Sequence, residues 1–281
     1  MNYSDFLFNL PNLSWSGVLT LYLLSIMRIA PIVALAPFLG AKVGPAASRL
    51  AVIFCLGAIF LPMIATKTVS QNIEFNTMFI GYALKELFIG AILGFLVTIP
   101  FYLIQSTGIL IDYLRGASIM QAQDPMMQSQ ASPIGILYNY ILIVLFFQIG
   151  GPFLFFDGLM KSYEIIPVDA FLNPVFFNPK NPFWDTAFSL LHHIVAISIQ
   201  FAAPSLVAIL MAEMFLGIAN RLAPQVQIAF LGMSLKSLLG LGLLWAAWFF
   251  VLKQMTKESY DWIKTINHLI ETFRLMLPKG S

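Results

Sequence analysis

Among the charged residues that stand inside long apolar runs are Arg28, Lys85, Glu86, Glu213 and Lys236. A charge at the centre of a lipid layer costs roughly 3 kcal/mol or more unless it is paired or faces water or protein. Two chemistries use such residues: they can relay a proton or an ion across a membrane, or pair with one another inside a protein assembly. A plainer option puts some of them near helix ends, where long side chains snorkel to the interface. Pairing is the preferred reading, and the sequence does not name the pairs. His192-His193 invites a metal site. Adjacent helical residues point about 100° apart, however, so they cannot chelate one ion from a helix. No GxSxG, HExxH or P-loop lysine motif is present, and those are the arrangements that hydrolases, zinc proteases and nucleotide-binding enzymes need. No catalytic, cofactor-binding or metal-ligating set is therefore expected, and no cofactor. Cys55 is the single cysteine and lies in an apolar run. It reads as a small buried hydrophobe, and alone it supports neither a disulfide framework nor a cysteine metal site.

The elements that position these charges must be membrane helices. The 281 residues are 59% hydrophobic and 10% charged, with a mean hydropathy of +0.84, whereas soluble domains carry roughly 25% charged residues. A chain of this size cannot hide that much apolar surface behind a polar exterior. The net charge of +2 offers no electrostatic footprint for nucleic acid. The opening stretch MNYSDFLFNLPNLSW has no Lys or Arg before Arg28. It lacks the basic start of a cleavable signal peptide and is expected to belong to the mature chain.

A span needs about 20 apolar residues. Six candidates lie at 17–39, 50–66, 79–111, 134–160, 187–219 and 226–252. The third and fifth are over-long and hold Pro100 and Pro204, so each is either a bent helix or a pair of shorter ones. From Lys253 onward Tyr260, Ile263, Ile266, Leu269, Ile270, Phe273 and Leu277 recur at helical spacing among charged and polar residues. This predicts an amphipathic helix lying on the membrane or on a partner, with the membrane surface as the default. The chain thus divides into 1–252, hydrophobic and helical, and 253–281, an amphipathic tail. No internal repeat is evident. The positive-inside rule gives a conflict. The basic loop 40–49 and the basic tail fall on opposite sides of a simple six-span bundle, which argues against such a bundle.

Between two apolar runs stands SIMQAQDPMMQSQASP, residues 118–133. It is neither a span nor an ordinary charged loop. A second interruption, NRLAPQ at 220–225, is a tight break in which Asn220 suits a helix C-cap and Arg221 could bond the last carbonyls. On residue types alone, the first is an ordinary surface loop, and the second is as readily a plain hairpin turn as a place of subunit packing.

RIAPIVALAPFLG at 28–40, KELFIGAILGF at 85–95, GASIMQAQDP at 116–125 and NRLAPQVQIAFLGMSLK at 220–236, in that order, resemble the export-apparatus protein T family of bacterial type III secretion. That family includes the flagellar biosynthesis protein FliR. The resemblance covers about 20–250, and the Gln/Met-rich form of 118–130 inclines toward the virulence branch. It implies an all-α, polytopic membrane protein of hydrophobic helical hairpins, wound into a helical export-gate assembly raised partly out of the bacterial inner membrane. It implies a single-copy, non-enzymatic subunit that scaffolds assembly with several copies of proteins R and S, is contacted by protein U, and passes secreted unfolded polypeptide. The remaining apolar surface would meet lipid. Met120, Gln121, Gln123, Asp124, Pro125, Met126, Met127 and Gln128 would then project into the channel and help plug it. Non-helical backbone at membrane depth is tolerated where it lines a cavity, and Met can fill an irregular gap and yield. Asn220, Arg221, Ala223, Pro224 and Gln225 would serve assembly. The rival is a secondary transporter coupled to ions through Arg28, Glu86 and Glu213.

Overall fold

A computed structural model describes residues 15–41, 44–67, 77–116, 132–171, 182–222 and 228–274. Among the described residues lie eight α-helices and no strand: α1 (Trp15–Leu35), α2 (Ala46–Lys67), α3 (Thr77–Leu114), α4 (Pro133–Gln148), α5 (Gly151–Ile165), α6 (Pro182–Leu222), α7 (Ile228–Ala246) and α8 (Trp248–Arg274). The chain leaves α1 because Ala36, preceding Pro37, is extended rather than helical, as a residue before proline tends to be. Gly40 then turns the backbone at φ 85°, in the left-handed region that glycine enters without cost.

Both over-long apolar runs are single helices. α3 has 38 residues with Pro100 inside, and α6 has 41 with Pro204 inside. At about 1.5 Å per residue each exceeds a ~30 Å hydrocarbon layer by a wide margin. The run at 134–160, expected to be one span, is instead two helices. Gly150 sits between them at φ 72°, and Pro152 stands at the start of α5, where its missing N–H breaks the ladder that would have continued α4. The last run also breaks early, at Ala247, so the helix carrying the amphipathic tail begins at Trp248. Four helices (α1, α2, α3 and α6) are long and apolar enough to cross a membrane, and the count rises to six if α4–α5 and α7–α8 each form one broken span. The chain is a multi-pass helical membrane protein.

Two compact units emerge. The first takes 1–98, 150–188 and 263–281. In it α1 packs on α2, and the Phe60 and Phe156 rings join α2 to α5. α1 and α3 run parallel and close: a Cβ on Gly90 would strike the Arg28 backbone carbonyl, and one on Gly94 would come within 3.0 Å of the Ile32 Cα. Small residues four apart allow such an approach between membrane helices. The tail segment of α8 also belongs here. Ile263, Ile266, Leu269 and Ile270 are buried, and Asn267 Nδ2 donates to the Leu154 carbonyl of α5 at 3.1 Å. The tail's apolar stripe is therefore spent on its own chain, correcting the expectation that it lies on the membrane. Tyr260, expected in that stripe, is exposed; Phe273 and Leu277 lie outside the side chains and residues described.

The second unit takes 99–149 and 189–262. It is made of antiparallel hairpins. In α3–α4, Gly108 meets Gly135 and the Phe101 and Phe146 rings meet edge to face, with centroids 5.5 Å apart. In α6–α7, Gly240 abuts Ile209 and Gly232 abuts Leu216. Cys55, on α2 in the first unit, is exposed rather than buried. In a membrane chain the outer face of a helix is also apolar, so a place in an apolar run does not mean the interior.

Candidate functional site

Arg28, Lys85, Glu86, Glu213 and Lys236 pair with one another. In the first unit, Arg28 of α1 grips Glu86 of α3 through both carboxylate oxygens: Nε to Oε2 at 2.5 Å and Nη2 to Oε1 at 2.8 Å. Both residues are fully buried. The guanidinium also donates to Ser162 Oγ at 3.0 Å and to the Ile166 carbonyl at 2.9 Å, and lies 4.0 Å from the centre of the Tyr163 ring. Tyr163 is held in turn, its hydroxyl donating to the Ser25 carbonyl at 3.2 Å. The planar fork of arginine suits this two-oxygen contact, which a lysine could not reproduce.

Lys85 sits beside Glu86, with Nζ 2.7 Å from Oε1. Its other partners are backbone carbonyls: Pro167 at 2.7 Å, Val168 at 2.9 Å and Ala170 at 2.9 Å. An ammonium has three donors, and here they pin the turn that follows α5. One carboxylate therefore answers two cations, and three helices meet around it. In the second unit Lys236 of α7 bonds Glu213 of α6 at 2.6 Å, lying between the Ile209–Gly240 and Leu216–Gly232 contacts. The pair fixes the register of the α6–α7 hairpin.

A sixth and a seventh charge, which the residue patterns did not single out, lie at the foot of the α3–α4 hairpin. Asp112 is buried. It accepts from Arg115 Nε at 2.7 Å, from the Ser132 hydroxyl and from the Ile134 backbone N–H at 3.0 Å. The available signals were Asp112 three residues before Arg115, and Ser-Pro opening an apolar run, a helix start.

Asn220 and Arg221 are exposed in the last turn of α6. Asn220 is helical there and so does not cap; α6 continues to Leu222. Arg221 stands where a cation complements the carbonyl end of a helix. Ala223, Pro224 and Gln225 lie outside the described residues, as do Met120, Gln121, Gln123, Asp124, Pro125, Met126, Met127 and Gln128. His192 and His193 are exposed on α6, with His193 Nε2 3.7 Å from Glu258. Among the described residues no group of three or more His, Cys, Asp or Glu could hold a metal ion.

Residues 19–261 match the profile of a family described as bacterial export proteins, family 1. Yop proteins translocation protein T of Yersinia pestis is 34% identical over 66% of this chain and 69% of its own length. Secretion system apparatus protein SsaT of Salmonella typhimurium is 29% identical over 70% of this chain and 74% of its own. Flagellar biosynthetic protein FliR of Aquifex aeolicus is 26% identical over 90% and 94%. The transporter reading finds no support in these relatives, and Arg28 and Glu86, which it needed as coupling residues, are consumed in a buried pair.

Proposed function

The chain belongs to the bacterial export proteins, family 1, and from that membership we propose that it is a single-copy core subunit of the type III secretion export gate. It sits in the bacterial inner membrane, scaffolds assembly with proteins R, S and U, and lines and plugs the channel through which unfolded polypeptide leaves. It catalyses no reaction. The carrying observation is the family match, which runs through 19–261 and so through every helix from α1 to much of α8. The paired charges support a structural part in such an assembly, since Arg28–Glu86 joins α1 to α3 and Lys236–Glu213 joins α7 to α6.

The plug is assigned to 118–133. Its stems, α3 and α4, form an antiparallel hairpin, so the Gln/Met-rich segment joins the tips of two apolar helices. Flexible methionines fill an irregular constriction, and an apolar constriction gates by excluding water. Replacing Met126 and Met127 together by Ala in the assembled complex is expected to raise ion leakage across the membrane while leaving assembly intact. Unchanged conductance in a fully assembled complex overturns the plug.

A further inference from the structure

The first unit exposes two unlike sides at one level, and α1 is the ruler that shows the level to be shared. This helix is long and apolar enough to cross a membrane. From Thr20 to Val33 none of its residues is exposed, so its middle is covered by other helices. On one flank stands α2. The Tyr22 hydroxyl donates to the Phe54 carbonyl at 3.1 Å, and a Cβ on Gly57 would meet the side chains of Tyr22 and Ile26. At this level the outer face of α2 bares Phe54, Cys55 and Ile59, with Leu50 one turn earlier. All four are apolar in character, a thiol behaving as a small hydrophobe.

On another flank stands α5. Its Tyr163 hydroxyl donates to the Ser25 carbonyl at 3.2 Å, and its Ser162 hydroxyl accepts from Arg28. The end of α5 therefore meets the same turns of α1 that α2 meets. Its outer face is unlike that of α2. Phe153, near the start, is bare and apolar, but from there on Asp157, Lys161 and Glu164 follow at helical spacing, partly or fully exposed. The last turns of α8 widen this polar face. Asn267 bonds the Leu154 carbonyl, and the exposed positions beside it are Lys264, His268 and Glu271. Lys161 bridges the two helices, 3.4 Å from Asp157 and 3.3 Å from Glu271.

Two kinds of ion pair thus stand in one unit. Arg28 and Glu86 are fully buried and close. The Lys161 pairs are longer, and the carboxylates in them are 62% and 55% exposed. Loose, open pairs suit a surface bathed in water, whereas bare charges in hydrocarbon are costly. A unit wrapped in lipid on every side would be apolar on both flanks, and one standing clear of the membrane would have no need to bare Phe54, Cys55 and Ile59.

We propose that this unit is a wall between lipid and water: α2 faces acyl chains, while α5 and the end of α8 face a water-filled space that reaches the depth of the middle of α1. α5 is then not the second half of a lipid-facing broken span, although α4 and α5 together have the length and composition for one. The inference rests on the multi-pass membrane reading and needs neither the plug nor any named partner. Within the proposed gate, α5 and α8 mark the side of the first unit that aqueous contents reach.

The test reads chemical labelling of the full chain in membrane fragments open on both sides, with the chain in the complete co-expressed complex. Cys55 is the single cysteine and lies bare on α2, so the parent chain reports the lipid side without substitution. Asp157→Cys, Glu164→Cys and His268→Cys, each made with Cys55→Ser, report the water side. The first probe is a methanethiosulfonate carrying a quaternary ammonium, which does not enter lipid. It reacts with the thiolate, itself a charge that hydrocarbon disfavours. The three introduced cysteines are expected to react on the order of a hundredfold faster than Cys55. The second probe is a carbene precursor dissolved in the bilayer, which needs no thiolate and is expected to mark the α2 peptide at Phe54 and Ile59. Introduced cysteines that react no faster than Cys55 until the protein is denatured overturn the inference, because lipid or protein then covers α5 and α8. A Cys55 as fast as the others overturns it too, since water then reaches both flanks. An α2 that takes neither probe overturns the lipid side, because protein covers it. Exposed pairs contribute little to stability, and His268→Cys leaves both Lys161 pairs in place, so the reading survives a failure of Asp157→Cys to accumulate. Native mass spectra of the same preparations keep the two readings apart: the expected labelling in a chain that has taken up no apparatus partner upholds the wall and overturns the export gate.

Discussion

At the scale of the residue, Glu86 carries more than either cation beside it. It receives Arg28 by two bonds and Lys85 by one, all within a buried cluster. Removing one partner of a buried pair leaves the other charge uncompensated, at a cost of about 3–5 kcal/mol. Glu86→Ala leaves two cations so exposed to each other. Arg28→Met leaves Glu86 still answered by Lys85. Glu86→Ala is therefore expected to cost about 3–5 kcal/mol and Arg28→Met clearly less. Thermal stability of the purified complex and the amount of chain in the membrane measure both. Equal losses would mean that Lys85 does not share the carboxylate. That these residues matter was legible in the sequence, because a charge in an apolar run needs a reason. Their pairing was not, because Arg28 and Glu86 are 58 residues apart and only the packing of α1 on α3 sets which turn faces which. Asp112 was passed over because it stands just beyond the apolar run 79–111, where a charge costs nothing unusual.

At the scale of the element, glycines decide how near helices come. Gly90 and Gly94 let α1 and α3 close to backbone contact, while Gly242 on α7 faces open space. Gly90→Ala must push α1 away from α3 and so stretch the Arg28–Glu86 contact, which depends on that approach. Gly242→Ala adds a methyl that meets nothing, and alanine favours the helix by about 1 kcal/mol over glycine. Gly90→Ala is thus expected to lower accumulation in the membrane severalfold, with Gly242→Ala at or above the parent; matched levels would show that the α1–α3 approach has slack. Helix positions were largely readable, because apolar length is a direct signal of a span. The breaks were not. Pro100 and Pro204 lie inside continuous helices, whereas Gly150 splits the run at 134–160. A proline in a membrane helix can be absorbed by its neighbours, but a positive φ reverses the local path of the backbone whatever surrounds it.

At the scale of the molecule, the question is what covers its outer surface. Of the hydrophobic stretch of α2, 22% is buried within the chain, against 56% for that of α3. Lipid could cover the bare apolar faces, and Trp245, Phe249, Phe250 and Phe215 are exposed without cost there. Lipid does not suit Glu213. It lies within a span, and its side chain stays 42% exposed although paired with Lys236. A half-open ion pair in hydrocarbon is expensive, so the α6–α7 face is expected to be met by protein or water. Composition could not reveal this, since lipid-facing and partner-facing surfaces are equally apolar; an apolar run identifies a helix but not its outer neighbour, as Cys55 illustrates. The consequence is measurable. Expressed alone, the chain is expected to be lost to proteolysis or to aggregate. Expressed with the genes for its apparatus partners and extracted gently, it is expected in native mass spectra as one copy inside a larger complex. Glu213→Leu with Lys236→Leu would remove the need for a polar neighbour, and should raise the yield of the lone chain relative to the parent while weakening its capture into the complex. A parent chain that is stable alone, as a monomer or homodimer that takes up no partner, would mean that the open ion pair is tolerated at a water-filled surface of its own, and would remove the reason for placing this face inside an assembly.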